Sequence, residues 1–257
     1  MFLTTCGCIN NGAFELLTKR KEVNMNSRSE FIKLFKSIAP YNNRYEVFSD
    51  AVSCFAYSLH NAVKYCDELE KEYLQRINRY EKEDRFKIKE LFHCLVDCLE
   101  FEPTDFLGGV FMELELGNSN IGQFFTPFSV SLVMARLNIG EVPNRFITTL
   151  HDPAVGSAGL PIAYATVLRE KGVNVQEKLW VQGIDIDHTA AMMAYVQLSL
   201  LGISGEIIVG NSLTMELGRV YRTPTYYLGN WASKLKFHYA FEKIFDLIGE
   251  GKRECIA

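Results

Sequence analysis

The sequence has no excess of basic residues. Its 257 residues include 27 Lys and Arg against 31 Asp and Glu, a formal net charge of −4. Proteins that bind nucleic acid through overall charge are strongly basic, so any such contact here must come from a local patch. The sequence also lacks an uninterrupted apolar run of the roughly 20 residues that a membrane helix needs. We therefore expect no transmembrane segment and no membrane partner.

Cysteine is present without a regular framework. The seven cysteines are an odd number in a long chain, which predicts a reducing, cytoplasmic environment. Two close pairs, Cys6 with Cys8 and Cys94 with Cys98, have no second ligand pair at zinc-site spacing, so no metal site is predicted. We interpret Cys94 and Cys98 as small apolar residues on a buried helix face.

The first half of the chain has the pattern of packed helices. Clear periodicity begins only after Met25, so residues 1–30 are predicted to be a poorly ordered extension, and either Met1 or Met25 fits as the start. Residues 31–118 are predicted to be a helical N-terminal domain, since apolar residues recur at steps of three and four. Its segment Asp67 to Glu90 has both charge signs, as one exposed helix with ion pairs would.

From residue 119 to 257 the pattern changes to short apolar runs that alternate with helices. This alternation predicts βαβ units, a parallel sheet and hence an α/β fold. The predicted strands are Phe146 to Leu150, Leu179 to Ile184 and Glu206 to Val209. The predicted helices are Leu160 to Lys171, His188 to Leu201 and Lys234 to Ile248.

The turn after the first predicted strand has the composition of a ligand site. It runs from Asp152 to Gly159, and a helix follows directly. Ligands bind at the carboxyl ends of the strands in sheets of this kind. Because Gly156 and Gly159 lack Cβ atoms, the backbone can turn sharply and approach a ligand closely. A nucleotide-like cofactor fits this turn.

The end of the second predicted strand helps to identify that cofactor. Asp185 follows Gly183 and Ile184, and an acid at this point can accept two hydrogen bonds from a ribose diol. Such an acid serves NAD and S-adenosylmethionine alike. The turn lacks the G-x-G-x-x-G pattern that a dinucleotide requires, so S-adenosylmethionine is favoured.

Four motifs occur in the order found in a known family. They are Gly122 to Pro127, Asp152 to Gly159, Gly183 to Asp187, and Gly210 to Leu213. Together they resemble the cofactor motifs of the N-6 adenine-specific DNA methylases, above all the modification (M) subunits of type I restriction-modification systems. The resemblance covers about Asp105 to Leu213. It implies a Rossmann-like S-adenosylmethionine-dependent methyltransferase fold, preceded by a helical region.

The resemblance also implies a role for individual residues. Phe124, Thr126 and Pro127 would line the methionine and adenosine side. Asp152, Gly156 and Gly159 would shape the methionine pocket, Asp185 would hold the ribose, and the Asn211 amide oxygen would face the adenine amino group. The predicted cofactor-binding set is completed by Phe125, Pro153, Ser157, Ile186, Ser212 and Leu213. The alternative is a plain loop at Gln123 to Pro127, a helix cap at Asp185 and a turn residue at Asn211.

The catalytic motif of that family is absent. The family has an Asn-Pro-Pro-aromatic tetrad whose polar groups hold the target amine and whose ring stacks on a flipped base. The nearest match here is Thr223-Pro224-Thr225-Tyr226, followed by Tyr227. Thr223, Pro224, Tyr226 and Tyr227 are therefore the predicted catalytic residues of a divergent loop. The alternative is a turn whose aromatics only pack on the domain.

These observations lead to two hypotheses about function. The first is an S-adenosylmethionine-dependent DNA adenine methyltransferase with a divergent catalytic loop. The second is a catalytically silent cofactor-binding or interaction module related to restriction-modification subunits. A protein or small-molecule methyl acceptor also stays open. Only three strands are predicted, so the sheet is expected to be incomplete. Either a protein partner or a second copy completes it, or the domain is a shortened relative of the family.

Overall fold

The structure of this chain is a computed structural model that describes residues 27–117, 125–140 and 146–254. Helices form its first half. They are α1 (27–37), α2 (Arg44–Asn61), α3 (Asp67–Ile77), α4 (Lys82–Phe101) and α5 (Phe106–Glu113). The apolar face of α2 is buried, and Asn43 caps the helix by accepting a hydrogen bond from the Glu46 backbone N–H.

The segment predicted as one helix from Asp67 to Glu90 is two helices. Helix α3 ends at Ile77, and α4 begins at Lys82. The break brings the Tyr80 side chain into the core, where it is 5% exposed and its hydroxyl donates to Asp50 Oδ2 at 3.0 Å. Arg76 donates to the other oxygen of this buried carboxylate at 2.6 Å. The interior contact of Tyr80 thus replaces the exposed helix that the charge pattern indicated.

A four-stranded sheet forms the second half. Its strands are β1 (Thr148–Asp152), β2 (Leu179–Asp185), β3 (Ser204–Asn211) and β4 (Glu216–Arg222), and they lie in the order β1-β2-β3-β4. Helix α6 (Phe128–Asn138) precedes β1. Helices α7 (Gly159–Glu170), α8 (Val175–Lys178) and α9 (His188–Leu200) connect the first three strands. Helices α10 (Pro224–Leu228) and α11 (Trp231–Glu254) follow β4.

The first three strands are parallel, and β4 is antiparallel to β3. The α/β fold with a preceding helical region is therefore confirmed, with a mostly parallel and open sheet. The three predicted strands are present. The prediction missed β4, which carries the chain back along β3, so that Glu216 pairs with Asn211 and Arg222 pairs with Glu206.

The two faces of the sheet differ in polarity. On one face, Val181 and Ile207 are fully buried in the main core with residues of α9. The other face has a polar row in register across all four strands, formed by His151, Gln182, Glu206 and Arg222. Adjacent members of the row are hydrogen-bonded at 3.0, 2.8 and 3.2 Å. Parallel sheets are usually covered on both faces, whereas here the polar row satisfies its own hydrogen bonds.

The helical half and the sheet share one continuous hydrophobic core. Helix α2 packs along α9, and Tyr45 and Ser49 of α2 hydrogen-bond to Thr189 at 3.1 and 2.9 Å. The predicted domain boundary near residue 118 falls outside the described residues, so the domain division stays a prediction. Among the helices that the structure describes, none is long and apolar enough to cross a membrane.

Candidate functional site

A cavity of about 610 Å³ lies at the carboxyl ends of β1 and β2, where parallel sheets bind ligands. The turn after β1, the turn after β2 and the start of α6 surround it. Its lining comprises Asp105, Phe125, Thr126, Ser131, Met134, Asp152, Ala154, Val155, Gly156, Ser157, Gly159, Leu160, Asp185, Ile186 and Asp187.

In the turn after β1, Gly156 and Gly159 are each required for a different structural reason. Gly156 adopts a positive φ of 56°, and a Cβ atom there would lie 3.1 Å from the Phe125 ring. A Cβ on Gly159 would lie 3.0 Å from Asp105 Oδ2. The Val155 N–H donates to the Ile184 carbonyl oxygen at 2.9 Å, which ties this turn to β2. The turn is thus held against both neighbouring segments.

Asp185 is held by the backbone and keeps part of its acceptor capacity. Its Oδ2 accepts from the Gly156 N–H at 2.8 Å, and its Oδ1 accepts from the Asp187 N–H at 2.9 Å. An ionised carboxylate has about four acceptor sites, so roughly two are left for a ligand. Burial raises the pKa of Asp185, and the charges of Asp187 and Asp152 raise it further, against the two N–H donors, which lower it. The alternative role as helix cap belongs instead to Asp187, which caps α9.

The cavity is strongly acidic. Asp105, Asp152, Asp185 and Asp187 line it, and its described lining has no Lys, Arg or His. Burial also raises the pKa of Asp152, against the hydrogen bond from the Ala154 N–H, which lowers it. Crowded and partly desolvated carboxylates favour a positively charged ligand and disfavour a pyrophosphate. S-adenosylmethionine, with a sulfonium and an ammonium, fits this charge pattern.

The structure brings together some of the predicted cofactor-binding residues at this cavity. The lining includes Phe125, Thr126, Asp152, Gly156, Ser157, Gly159, Asp185 and Ile186. Pro127 and Pro153 are exposed beside it and are not in the lining. Phe124 lies outside the described residues.

The motif from Asn211 to Leu213 begins at the last residue of β3. It lies at the carboxyl ends of the parallel strands, as the cavity does, but it does not line the cavity. The Asn211 Oδ1 accepts from the backbone N–H groups of Leu213 and Thr214 at 2.9 and 3.2 Å. Asn211 is therefore a turn residue in this structure, the alternative that its sequence position left open. Leu213 is 94% exposed.

The predicted catalytic residues lie at the amino ends of the parallel strands, opposite the end that forms the cavity. Because β4 is antiparallel, Thr223 comes to the amino end of β3, where its Oγ1 accepts from the Gly205 N–H at 3.0 Å. Thr223 is fully buried, and the Tyr226 ring lies 5.7 Å from that of Trp180 at the start of β2. Thr223, Pro224, Tyr226 and Tyr227 form the start of α10 and do not face the cavity. This placement favours the packing alternative, and the catalytic role of these residues stays a prediction.

Sequence reasoning missed two residues at this site, one in the cavity lining and one buried behind it. Asp105 lines the cavity, and Gln197 of α9 donates to it at 2.9 Å across 92 residues of sequence. Asp105 also accepts from Ser157 Oγ at 2.6 Å. No local pattern in the sequence identifies such a contact, although the capping position of Asp105 before α5 was open to prediction from its residue type.

Part of the chain matches a known protein family. Residues 112–231 match the family model described as N-6 DNA Methylase. The chain is also similar to the crystal structure of a candidate class I S-adenosylmethionine-dependent methyltransferase from Listeria monocytogenes, with 17% sequence identity and a TM-score of 0.48. That similarity covers 73% of this chain, which spans about half (54%) of the other protein. A comparison with curated proteins gives no match.

All of the cavity lining except Asp105 lies within the matched residues. The resemblance that the four motifs predict is confirmed, and with it the cofactor, because the family implies S-adenosylmethionine. Residues 112–231 of this chain therefore match the N-6 DNA methylase family, whose cofactor is S-adenosylmethionine.

Proposed function

We propose that this chain is the cofactor-binding unit of an S-adenosylmethionine-dependent DNA adenine methyltransferase. The observation that carries the proposal is the acidic cavity at the carboxyl ends of β1 and β2, whose lining apart from Asp105 lies within the residues that match the N-6 DNA methylase family. DNA as the substrate rests on the family description, since the net charge of −4 gives no support of its own.

Each side of the cavity suits one part of the cofactor. The two free acceptor sites of Asp185 would take the ribose hydroxyls, and the exposed Ile186 side chain beside it would cover the adenine. The turn from Gly156 to the start of α7 would hold the methionine part, because the N-terminus of a helix favours a carboxylate. When bound, the cofactor supplies the methyl group.

We propose that the groups that hold the target base come from outside the described residues. Thr223 and Tyr226 instead contact residues at the amino ends of the strands, away from the cavity. A surface suited to a protein partner lies beside the cavity on α6, whose apolar residues Val130, Val133, Met134 and Leu137 are 42 to 81% exposed along one helix face. Met134 belongs to both this surface and the cavity lining.

The first test is calorimetric titration of the purified protein with S-adenosylmethionine, repeated with Asp185→Ala. The intact chain is expected to bind and the variant to lose binding, because the ribose acceptor is removed. Glu206→Ala is the matched control, since Glu206 is a strand carboxylate on the same sheet that belongs to the polar row and not to the cavity. Absence of binding by the intact chain would refute the proposal.

The second candidate function is a catalytically silent module that binds cofactor and acts through protein contacts. The burial of Thr223 at the amino end of β3 favours this silent module, because no predicted catalytic residue then faces the cavity. Transfer of a labelled methyl group to DNA, RNA and protein pools separates the candidates. Transfer to DNA by the purified chain alone would exclude the silent module, and transfer to protein alone would exclude the DNA methyltransferase.

A further inference from the structure

A buried hydrogen-bond network connects the helical half to the cofactor turn. Asp105 precedes α5, and its carboxylate accepts three hydrogen bonds, from the Gly108 N–H at 3.0 Å, Ser157 Oγ at 2.6 Å and Gln197 Nε2 at 2.9 Å. Asp105 is 6% exposed, Ser157 2% and Gln197 0%. Two N–H groups and one O–H group therefore converge on a single carboxylate, which acts only as an acceptor when ionised.

The Gln197 amide closes the network. Its Nε2 also donates to the Ser157 carbonyl oxygen at 2.7 Å, and its Oε1 accepts from the Leu107 N–H at 2.9 Å. The amide thus uses both N–H donors and its oxygen, and this fixes its orientation. A fully satisfied network of this kind holds its members rigidly, since any rotation would leave a buried polar atom without a partner.

The backbone at Gly108 presses against the same group. A Cβ atom on Gly108 would lie 2.3 Å from both Asp105 Oδ2 and Ser157 Oγ. Only glycine therefore permits this close approach. Ser157 and Asp105 both belong to the cavity lining.

The network determines what Ser157 can offer a ligand. A hydroxyl has one proton, and the short bond to Asp105 uses it, so the Ser157 hydroxyl can only accept a further hydrogen bond. A ligand group that meets Ser157 must therefore be a donor. In a cavity lined by four carboxylates, the donor best suited to this position is a positively charged amine.

We infer that Asp105 and Gln197 are positioning residues that present Ser157 Oγ as the acceptor for the ammonium group of the bound methionine part. The inference rests on the proposed function, because it concerns the same cofactor. It gives the helical half a direct role in cofactor selection, since Asp105 belongs to the segment before α5.

The test compares the affinities of two ligands. S-adenosylmethionine has the ammonium group, whereas 5′-methylthioadenosine keeps the adenosine and lacks the amino-acid part. In Asp105→Asn the new amide can donate to Ser157 Oγ, so the hydroxyl proton is turned toward the cavity. We expect calorimetry to show roughly ten-fold weaker binding of S-adenosylmethionine and unchanged binding of 5′-methylthioadenosine.

A second variant and a matched control keep the test sharp. Ser157→Ala removes the hydroxyl and is expected to give the same selective loss, and the double variant no further loss, because both changes act through one contact. Asp50→Asn is the control: Asp50 is also buried and also has three partners, Arg76, Arg79 and Tyr80. It should lower the melting temperature without changing the ratio of the two affinities.

Each other outcome counts against the inference in a recognisable way. Equal losses for both ligands, or no loss, in Asp105→Asn and Ser157→Ala would overturn it while the proposed function stands. Wild-type affinity for 5′-methylthioadenosine as high as that for S-adenosylmethionine would also overturn it, because the ammonium would then contribute nothing. Absence of binding of both ligands by the wild type would remove the proposed function and the inference together.

Discussion

The two ends of the central strands differ in how completely their polar groups are used. At the amino end, Thr223 is buried with its hydroxyl bonded to Gly205, and the Trp231 indole donates to the Gln176 carbonyl oxygen at 3.2 Å. At the carboxyl end, Asp152 and Asp185 have pKa values raised by burial, and both face a cavity. At the amino end these polar groups have hydrogen-bond partners. At the carboxyl end the partners of the two carboxylates do not fully offset the cost of burying their charge.

This difference indicates that, in the described part of the molecule, the functional site lies at the carboxyl ends of the strands. Partly desolvated carboxylates cost stability, and such groups are typical of sites that bind or react. Buried aromatic clusters contribute packing free energy instead. The aromatic segment at Tyr226 attracted a catalytic interpretation by its residue types, but its surroundings are those of a core.

The largest effect on stability is expected at the amino end. Trp231→Ala should lower the free energy of unfolding by about 3 to 5 kcal/mol, because a fully buried indole packed at 5.6 Å from Trp180 is removed. Chemical denaturation measures the loss. Trp231→Phe is the milder control. Cofactor affinity of the folded fraction should not change, and a specific loss of affinity would contradict the assignment of this end to packing.

The next effect concerns binding at the carboxyl end. Asp185→Asn should weaken binding of S-adenosylmethionine by about ten- to one hundred-fold, since a charged acceptor of ribose hydroxyls is lost. The new amide N–H₂ would also face a backbone N–H donor, either Gly156 or Asp187. Calorimetry measures the affinity, with Glu206→Gln as the isosteric control. Wild-type affinity in Asp185→Asn would show that the cavity binds the cofactor in another way.

The sequence predicted the carboxyl end well because its signals are local. The strand, turn and helix around Gly156 and Gly159 follow one another within a few residues, and a parallel sheet brings the end of β2 beside them. The position of Thr223 depends instead on the direction of β4. That strand has Gly218 and mostly exposed side chains, so neither apolar alternation nor a buried run marks it.

The contacts of Asp105 could not be predicted from the sequence, because they too depend on residues that are distant along the chain. Its partners Ser157 and Gln197 lie 52 and 92 residues away. Gln197 sits in a helix that is apolar almost all round, where a single amide gives no periodic signal. Only the packing of α5 against α9 brings these groups together. Local chemistry was thus predictable from the sequence, whereas the pairing of distant polar residues was not.

A smaller effect separates the catalytic and packing interpretations of Thr223. Thr223→Val should lower the free energy of unfolding by about 1 to 3 kcal/mol, since the buried Gly205 N–H loses its acceptor. Thr225→Val, at the half-buried partner hydroxyl 3.1 Å away, should cost less. Thermal and denaturant unfolding measure both. If the folded Thr223→Val variant lost methyl transfer while its stability stayed unchanged, the catalytic interpretation would be restored.

The smallest effect tests the carboxyl end without its ligand. The pKa of Asp152 is raised above its ordinary value of 3.8 by burial, so its contribution to stability is present below that value and is lost as pH rises through the folded-state pKa. Asp152→Asn keeps the acceptor for the Ala154 N–H and should stabilise the ligand-free protein at pH 7 by on the order of 0.5 to 1 kcal/mol, with the gain vanishing near pH 4. Unfolding curves across this range measure it. A variant less stable than the wild type at neutral pH would show that the Asp152 charge is compensated within the fold, and the contrast between the two ends would then rest on Asp185 alone.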